Sequence, residues 1–413
     1  MAKDGKTYGV ALLSNAMHQD RFGQAFAAHP RLHVLAVVDE PGQEPYVQGR
    51  NRALAQQLGV PYVESLAALS EVDGQAVDVV SVCAPIERRG RVALEAVRRG
   101  KHLWLDKPPA ASVAEVDALA AATTAAGVKS LVFSHVAAPW GVALRQAIED
   151  GEIGALRALH LDFHFIKGDA YGLEARRVPS GTGPRDVWTF RDPECATDPT
   201  ESGHNVIAKR ELSEEGWYAL ALAARLCPQP VRRVYAQGGA YFLRHHRDLN
   251  TEDFSTLVLT LDGGPVVTIS TGRTGTRTHP GGGRMLVRAV GDRGTILVDG
   301  GQPPVTTYVG VVSAAGRNVP SGESTGLAEL VDSFVSYLDG DGASPMTAEA
   351  ARSVMRVLDA AYKSFATGEP IDVEPLPALA LPGEERSTDR EGEREHLPRS
   401  RSWTGRDRDG GAA

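Results

Sequence analysis

Five short apolar runs separated by helical stretches constrain this chain more than any other feature. Tyr8 to Leu13, His33 to Val38, Asp78 to Ala84, His102 to Leu105 and Ser130 to Phe133 read as strands. Helical patterns fall between them near Gly23 to Ala28, Asn51 to Leu58, Arg91 to Arg98 and Val113 to Ala126. Strands that alternate with helices in this way pair in parallel, because each return to the sheet needs a crossover. The expected class is α/β, with residues 7–135 forming a doubly wound parallel sheet of the kind that binds dinucleotides.

The pattern changes after Ala138-Pro139-Trp140. A helix runs to about Asp150, and strand-like runs then dominate: Leu156 to Phe165, Val231 to Phe242, Phe254 to Leu261, Val266 to Thr271, Met285 to Val290 and Thr295 to Val298. Asp262-Gly263-Gly264 and Gly291-Asp292-Arg293-Gly294 read as hairpin turns between neighbours. Helices are expected over Leu327 to Leu338 and Ala348 to Thr367. Residues 136–373 therefore predict an α+β domain with a mainly antiparallel sheet. Residues 374–413 are rich in Pro, Gly, Glu, Arg and Ser, with too little apolar content to offset the entropy of ordering, so a disordered tail is expected there.

The 413 residues suffice for two domains of ordinary size. A formal net charge of −8 disfavours nucleic acid and anionic membranes as partners. No run approaches the ~18 apolar residues of a membrane span, and Met1 to Lys6 has no signal-peptide core. Cys83, Cys195 and Cys227 are odd in number and widely spaced, which suits reduced thiols in a cytoplasmic protein and neither a disulfide frame nor a metal site. His245-His246 is a poor metal signal, because no third ligand is placed and neighbours in a strand point oppositely.

Chemistry concentrates first at Arg99 to Pro109. His102 to Leu105 runs straight into Asp106-Lys107-Pro108-Pro109, where two prolines end the ladder. A helix follows, opened by a capping box of Ser112 with Glu115 and left through Gly127. Lys107 thus stands just past the carboxyl end of a strand, the edge where open α/β sheets bind ligands; a surface lysine on a tight turn is the plain alternative. Gly100-Lys101-His102, then Asp106-Lys107-Pro108, resembles the Gly-Lys-His…Glu-Lys-Pro segment of the Gfo/Idh/MocA oxidoreductases. Asp106 stands where that family usually has Glu. The resemblance runs over residues 7 to about 373 and implies an N-terminal Rossmann-type domain, a lysine beside the nicotinamide ring, and a cis Lys107-Pro108 bond. It also implies a homodimer or higher oligomer through the open face of the second sheet.

The cofactor loop departs from the usual pattern. A dinucleotide fold places Gly-x-Gly-x-x-Gly after its first strand, yet no glycine lies between Gly9 and Gly23 here. Aligned with the family, Ser14 and Ala16 take the first two glycine places; Ser14, Asn15 or His18 could meet phosphate directly. Loss of the pyrophosphate site is the other reading of the same residues. Asp39 ends the second strand, where a carboxylate bonds ribose hydroxyls, and Glu40 follows it. Two carboxylates repel a 2′-phosphate, so NAD is expected over NADP. Ala84 and Pro85 keep a strand exit beside the cofactor, and Arg88 or Arg89 could offset phosphate charge or merely open a solvated helix.

In the second domain Glu214-Glu-Gly-Trp-Tyr218 opens an apolar helix and resembles the Asp-x-Gly-x-Tyr motif of the glucose-fructose oxidoreductase and dimeric dihydrodiol dehydrogenase branch, with Glu214 in place of Asp. The spacing puts Glu214 and Tyr218 on one helix face. Oxidising a secondary alcohol needs a base for its hydroxyl proton, and a phenol is a poor one unless a neighbouring ammonium lowers its pKa. Lys107 and Tyr218, assisted by Glu214, are the catalytic candidates; a core tyrosine with a satisfied hydroxyl is the plain reading of Tyr218. His135, His164, Lys167, Lys209 and Arg210 are candidate substrate contacts, with His135 and His164 as alternative bases. Lys209 and Arg210 suit a carboxylate or phosphate, but could equally pair with nearby glutamates. The expected function is hydride transfer between a nicotinamide cofactor and a small polyhydroxylated or carbonyl substrate. Two rivals stand beside it: a non-catalytic ligand sensor on the same fold, and a lyase or glycosidase acting by transient oxidation.

Overall fold

Tyr8–Leu13 (β1) is buried at every position, as a strand covered on both faces must be. It is the centre of a six-stranded sheet in the computed structural model, which describes residues 5–69, 71–72, 75–166, 198–199, 205–206, 210–274, 284–300, 305–309, 313–317 and 326–374. In chain order come α1 (Gln19–Ala28), β2 (Leu32–Val38), α2 (Pro45–Leu58), β3 (Tyr62–Val63), a small ribbon of β4 (Glu71–Val72) and β5 (Gln75–Ala76), β6 (Val79–Val82), α3 (Ile86–Arg98), β7 (His102–Leu105), α4 (Val113–Ala126) and β8 (Ser130–Val132). The sheet order is β3-β2-β1-β6-β7-β8, and every pairing is parallel. Leaving aside the ribbon, that is the 3-2-1-4-5-6 order of a Rossmann fold. Local chemistry matches the turns: the Ser112 hydroxyl accepts from the Glu115 N–H, and Gly127 leaves α4 at φ 63°. The Glu115 carboxylate returns to the Ala111 N–H instead of that of Ser112, so the box is shifted by one residue.

The second sheet follows α5 (Pro139–Glu149). Its elements are β9 (Leu156–Ile166), the small pair β10 (Asp198–Pro199) and β11 (Asn205–Val206), α6 (Glu211–Glu214), α7 (Gly216–Leu226), β12 (Val231–Gly239), α8 (Arg244–Asp248), β13 (Phe254–Leu261), β14 (Val266–Thr274), β15 (Arg284–Gly291), β16 (Gly294–Asp299), β17 (Val305–Val309), β18 (Ser313–Arg317), α9 (Leu327–Asp339), α10 (Ala348–Thr367) and β19 (Ile371–Asp372). Nine strands order as β18-β17-β16-β15-β9-β14-β13-β12-β19, antiparallel except for the parallel pair β9 and β14. The Phe254–Leu261 strand alternates outward and inward as a sheet with one covered face should.

Two expectations need correction. The single helix expected to carry Glu214 and Tyr218 on one face is two helices, with Glu214 ending α6 and Tyr218 in α7. The break falls at Glu215, before Gly216, where an added Cβ would lie 2.7 Å from Leu212 Cδ1 and 3.1 Å from Thr271 Cγ2, so a larger residue there would need those side-chain ends to shift. His245-His246 lies in α8 and not in a strand. The tail beyond Glu374, Lys167, Cys195 and Lys209 lie outside the described residues.

The two C-terminal helices join the sheets to each other. The middle of α9 sets Phe334 edge-on against Trp104 of β7, ring centroids 5.4 Å apart. The segment before α10 supplies the Met346 carbonyl to the Val132 N–H at 2.7 Å. Arg352 and Arg356 of α10 both clasp Asp117 of α4, at 2.7 Å each. Farther along, the Ser364 hydroxyl of the same helix accepts from the Ala236 N–H of β12.

Candidate active site

The switch point of the first sheet lies between β1 and β6, where successive connections leave in opposite directions. Three strand exits converge there. After β1, Ser14 sits at φ 62°, the left-handed conformation that glycine usually supplies. The hydroxyl of Ser14 accepts from Gln43 at 2.8 Å. Side chains hold the rest of the turn. The Asn15 N–H donates to Asn51 Oδ1 at 2.6 Å, the Ala16 N–H to the Cys83 carbonyl at 3.2 Å, and Arg50 reaches the Ala16 and Met17 carbonyls at 3.3 and 3.2 Å. Gln19 is knitted to Ser81 through both ends of its amide, at 2.8 Å each. Side-chain hydrogen bonds hold this turn, and Ser14 takes the left-handed backbone that glycine usually supplies.

At the end of β2, Asp39 accepts from the Tyr62 hydroxyl at 2.6 Å and from the Glu40 N–H at 2.8 Å. Glu40 is buried between Arg88 and Arg91, at 3.2 and 3.3 Å. Burial raises the Glu40 carboxyl, and the two guanidiniums oppose it. Its charge is therefore compensated, and the repulsion of a 2′-phosphate rests on Asp39 more than on the pair. Arg89 is fully buried and turned to the Ala84 and Pro108 carbonyls and the Met17 sulfur, so it braces the strand exits and is not placed for phosphate.

Past β7, Asp106 takes His18 Nδ1 on both oxygens, at 2.9 and 3.0 Å. His18 is thereby drawn to Asp106 instead of standing open to phosphate. Burial would raise the Asp106 carboxyl, but His18, Arg89 and Lys107 outweigh it and hold the group well below its ordinary value. Lys107 precedes Pro108 across a cis bond and is buried. Its ammonium donates to Glu214 Oε2 at 2.7 Å and to the Glu214 carbonyl at 2.9 Å. Desolvation pulls the ammonium down, but Glu214, Tyr218, Glu215 and Asp106 push it above its ordinary value, so it stays charged.

Tyr218, early in α7, lies with its ring 5.0 Å from the Lys107 ammonium. His135 stacks on it at 4.3 Å between centroids, Phe133 meets it edge-on at 6.0 Å, and Phe165 of β9 closes another side at 6.4 Å. The expected lowering of the phenol is reversed. Burial raises the Tyr218 pKa above its ordinary value, and Lys107 offsets only part of it, with Glu215, Asp106 and Glu214 adding to the rise. Burial is the larger effect, and the ammonium, which faces the ring and donates to Glu214, does not overcome it.

Lys107, Glu214, Tyr218 and His135 therefore meet, with Asp106 and His18 behind them. His164 does not join. Neighbouring strand residues face opposite sides, and while Phe165 packs on Tyr218, His164 lies tilted against Phe254, ring centroids 4.9 Å apart, and pairs with Asp162 at 2.7 Å. Arg210 turns to the Tyr362 ring, 4.9 Å away. Lys167 and Lys209 lie outside the described residues. Sequence reasoning missed Phe133, Phe165 and Arg50, because an aromatic or a helix arginine carries no motif of its own. It missed Arg273 for the same reason: this β14 residue clasps Glu211 and Glu215 beside Tyr218.

A left-handed turn after β1, a carboxylate ending β2 and a lysine past β7 together fit a nicotinamide dinucleotide. Comparison with known proteins agrees. Residues 12–134 match the model of the oxidoreductase family GFO_IDH_MocA, described as having an NAD-binding Rossmann fold. An uncharacterized oxidoreductase of Bacillus subtilis, YrbE, is 21% identical over 311 residues, 74% of this chain and 81% of that one. A dTDP-3,4-didehydro-2,6-dideoxy-alpha-D-glucose 3-reductase of Streptomyces violaceoruber is 30% identical over 169 residues, 40% of this chain and 46% of its own. Among solved structures, an oxidoreductase from Agrobacterium radiobacter in complex with NAD+, L-tartaric acid and magnesium shares the fold at TM-score 0.69 and 16% identity, covering 89% of this chain and 98% of that one. Over residues 12–134 the chain thus carries a dinucleotide domain of the Gfo/Idh/MocA oxidoreductase type, described as an NAD-binding Rossmann fold.

Proposed function

We propose that this enzyme is an NAD-dependent dehydrogenase or reductase acting on a CH–OH or C=O group of a small polyhydroxylated or carbonyl substrate. The meeting of Lys107 from the first domain with Glu214 and Tyr218 from the second carries the reading, because it joins a proton-handling phenol to a fixed positive charge at the cofactor edge. When bound, the nicotinamide ring supplies or accepts the hydride. Ser14, Asn15 and Ala16 would border the pyrophosphate, Asp39 the ribose, and Ala84, Pro85, Asp106 and Lys107 the nicotinamide end. A phenol held protonated suits reduction: Tyr218 gives its proton to the carbonyl oxygen as hydride arrives at carbon, and takes it back in the oxidation direction. The Lys107 ammonium stabilises negative charge building on that oxygen. His135, stacked against the phenol, borders the substrate side. The sugar reductase among the relatives and the tartrate bound to a structural neighbour both favour a hydroxylated small molecule.

Titration calorimetry should show NAD+ binding, with NADP+ weaker; heat from neither would defeat the cofactor assignment. Tyr218→Phe should keep that binding while turnover of a pentose, hexose and cyclitol panel falls by roughly 10²–10⁴. Normal turnover in Tyr218→Phe would move the proton role to Glu214 or His135. We also propose a homodimer through the open face of the second sheet, where Val258 and Val266 are exposed. Light scattering that reports a monomer would remove it.

A further inference from the structure

Helix α6 is only four residues long, Glu211–Glu214, too short to hold itself. Yet it presents both acceptors that fix the Lys107 ammonium. Its first-turn N–H groups are satisfied from outside. The Leu212 N–H donates to Glu252 Oε1 at 3.2 Å, and the Ser213 N–H to the Tyr362 hydroxyl at 3.2 Å. The Tyr362 hydroxyl donates its single proton to Glu252 Oε1 at 3.0 Å. Its lone pairs are then left to accept, so in the 2.7 Å contact with Ser213 Oγ the serine is the donor. Glu252 comes from the loop before β13 and Tyr362 from α10, and both are well removed in sequence from α6.

We propose that Glu252 and Tyr362 are positioning residues: by capping α6 they fix Glu214, and through Glu214 they place the Lys107 ammonium. This rests on the reading of Lys107 and Glu214 as active-site groups. The cap needs an acceptor at Glu252 and not a charge, so Glu252→Gln preserves it and Glu252→Leu destroys it. Tyr362→Phe removes the acceptor of Ser213.

The test is reductive methylation of the full-length protein, quantified by mass spectrometry at Lys107 relative to exposed Lys363 in the same digest. Thermal melting checks that each variant is folded. Tyr362→Phe should raise Lys107 labelling severalfold. Glu252→Gln should label like wild type, and Glu252→Leu, if it folds, like Tyr362→Phe. Where the sugar and cyclitol panel gives turnover, Tyr362→Phe should lower kcat by roughly 10²-fold, the scale of a 1 Å misplacement. Wild-type labelling in Tyr362→Phe overturns the proposal whatever turnover does. Normal turnover in Lys107→Met removes the active-site reading instead, and the labelling ratio still decides the positioning role.

Discussion

Glu252 is an acid in a nearly dry place, and burial pushes its carboxyl up to about 7, against the pull of the Leu212 N–H, the Tyr362 hydroxyl and Arg210. A raised folded-state pKa means that the native protein binds this proton more tightly than the unfolded chain. The stabilisation is full below the unfolded value near 4.5 and is lost as pH rises through about 7. Glu252→Gln, which stays neutral, should match wild type in stability near pH 4.5 and exceed it by about 3 kcal/mol above pH 7, as an upper bound. Urea denaturation across that range measures it; equal stability at pH 8 would place the true pKa near the ordinary one. Lys107 makes the opposite case, a cation kept charged by its neighbours. Lys107→Met leaves Glu214 buried without its ammonium and should cost about 3–5 kcal/mol as well as activity.

Elements here are set by a few decisive residues. Ser14 at φ 62° is tolerable because its side chain is small and pinned by Gln43. A β-branched residue cannot take that backbone cheaply. Ser14→Val should be about 1–3 kcal/mol less stable than Ser14→Gly, and should bind NAD+ more weakly, by calorimetry. The start of α4 rests on Ser112, and Ser112→Ala should lower stability by about 1 kcal/mol without touching cofactor affinity. Boundaries of β1, β7, β13, α4 and α10 were legible in the sequence. Apolar periodicity gave their bodies, and prolines, glycines and caps gave their ends. The start of α1 at Gln19 was not, since no side-chain cap marks it.

At the scale of the molecule, the second half of the chain does not stay with its own sheet. Asp117 of α4 is held by Arg356 and Arg352, which take its carboxyl down to about 2. A depressed value of this kind gives stability that is present above the unfolded pKa and lost as pH falls through about 2. The group is a third exposed, which screens the pair, so Asp117→Asn should cost only about 1 kcal/mol at neutral pH. Its larger effect should be on docking: hydrogen exchange should quicken in α4 and the first turns of α10 together. Quickening in α10 alone would mean that the two helices are not coupled through this clamp.

By itself the sequence determined the parallel first sheet, the mainly antiparallel second, and the lysine and tyrosine that meet between them. The sheets follow from local periodicity and turn chemistry, and the lysine and tyrosine from the resemblance of the Asp106-Lys107-Pro108 and Glu214…Tyr218 segments to Gfo/Idh/MocA motifs. Only the tertiary structure decided what each group touches. It turned His18 to Asp106, gave Glu40 two arginines, laid the Lys107 ammonium on the Tyr218 ring face and sent His164 to the far side of its sheet. Burial and partner choice come from residues distant in the chain. A pKa follows from those partners, so the raised phenol of Tyr218 could not be read from its neighbours in sequence.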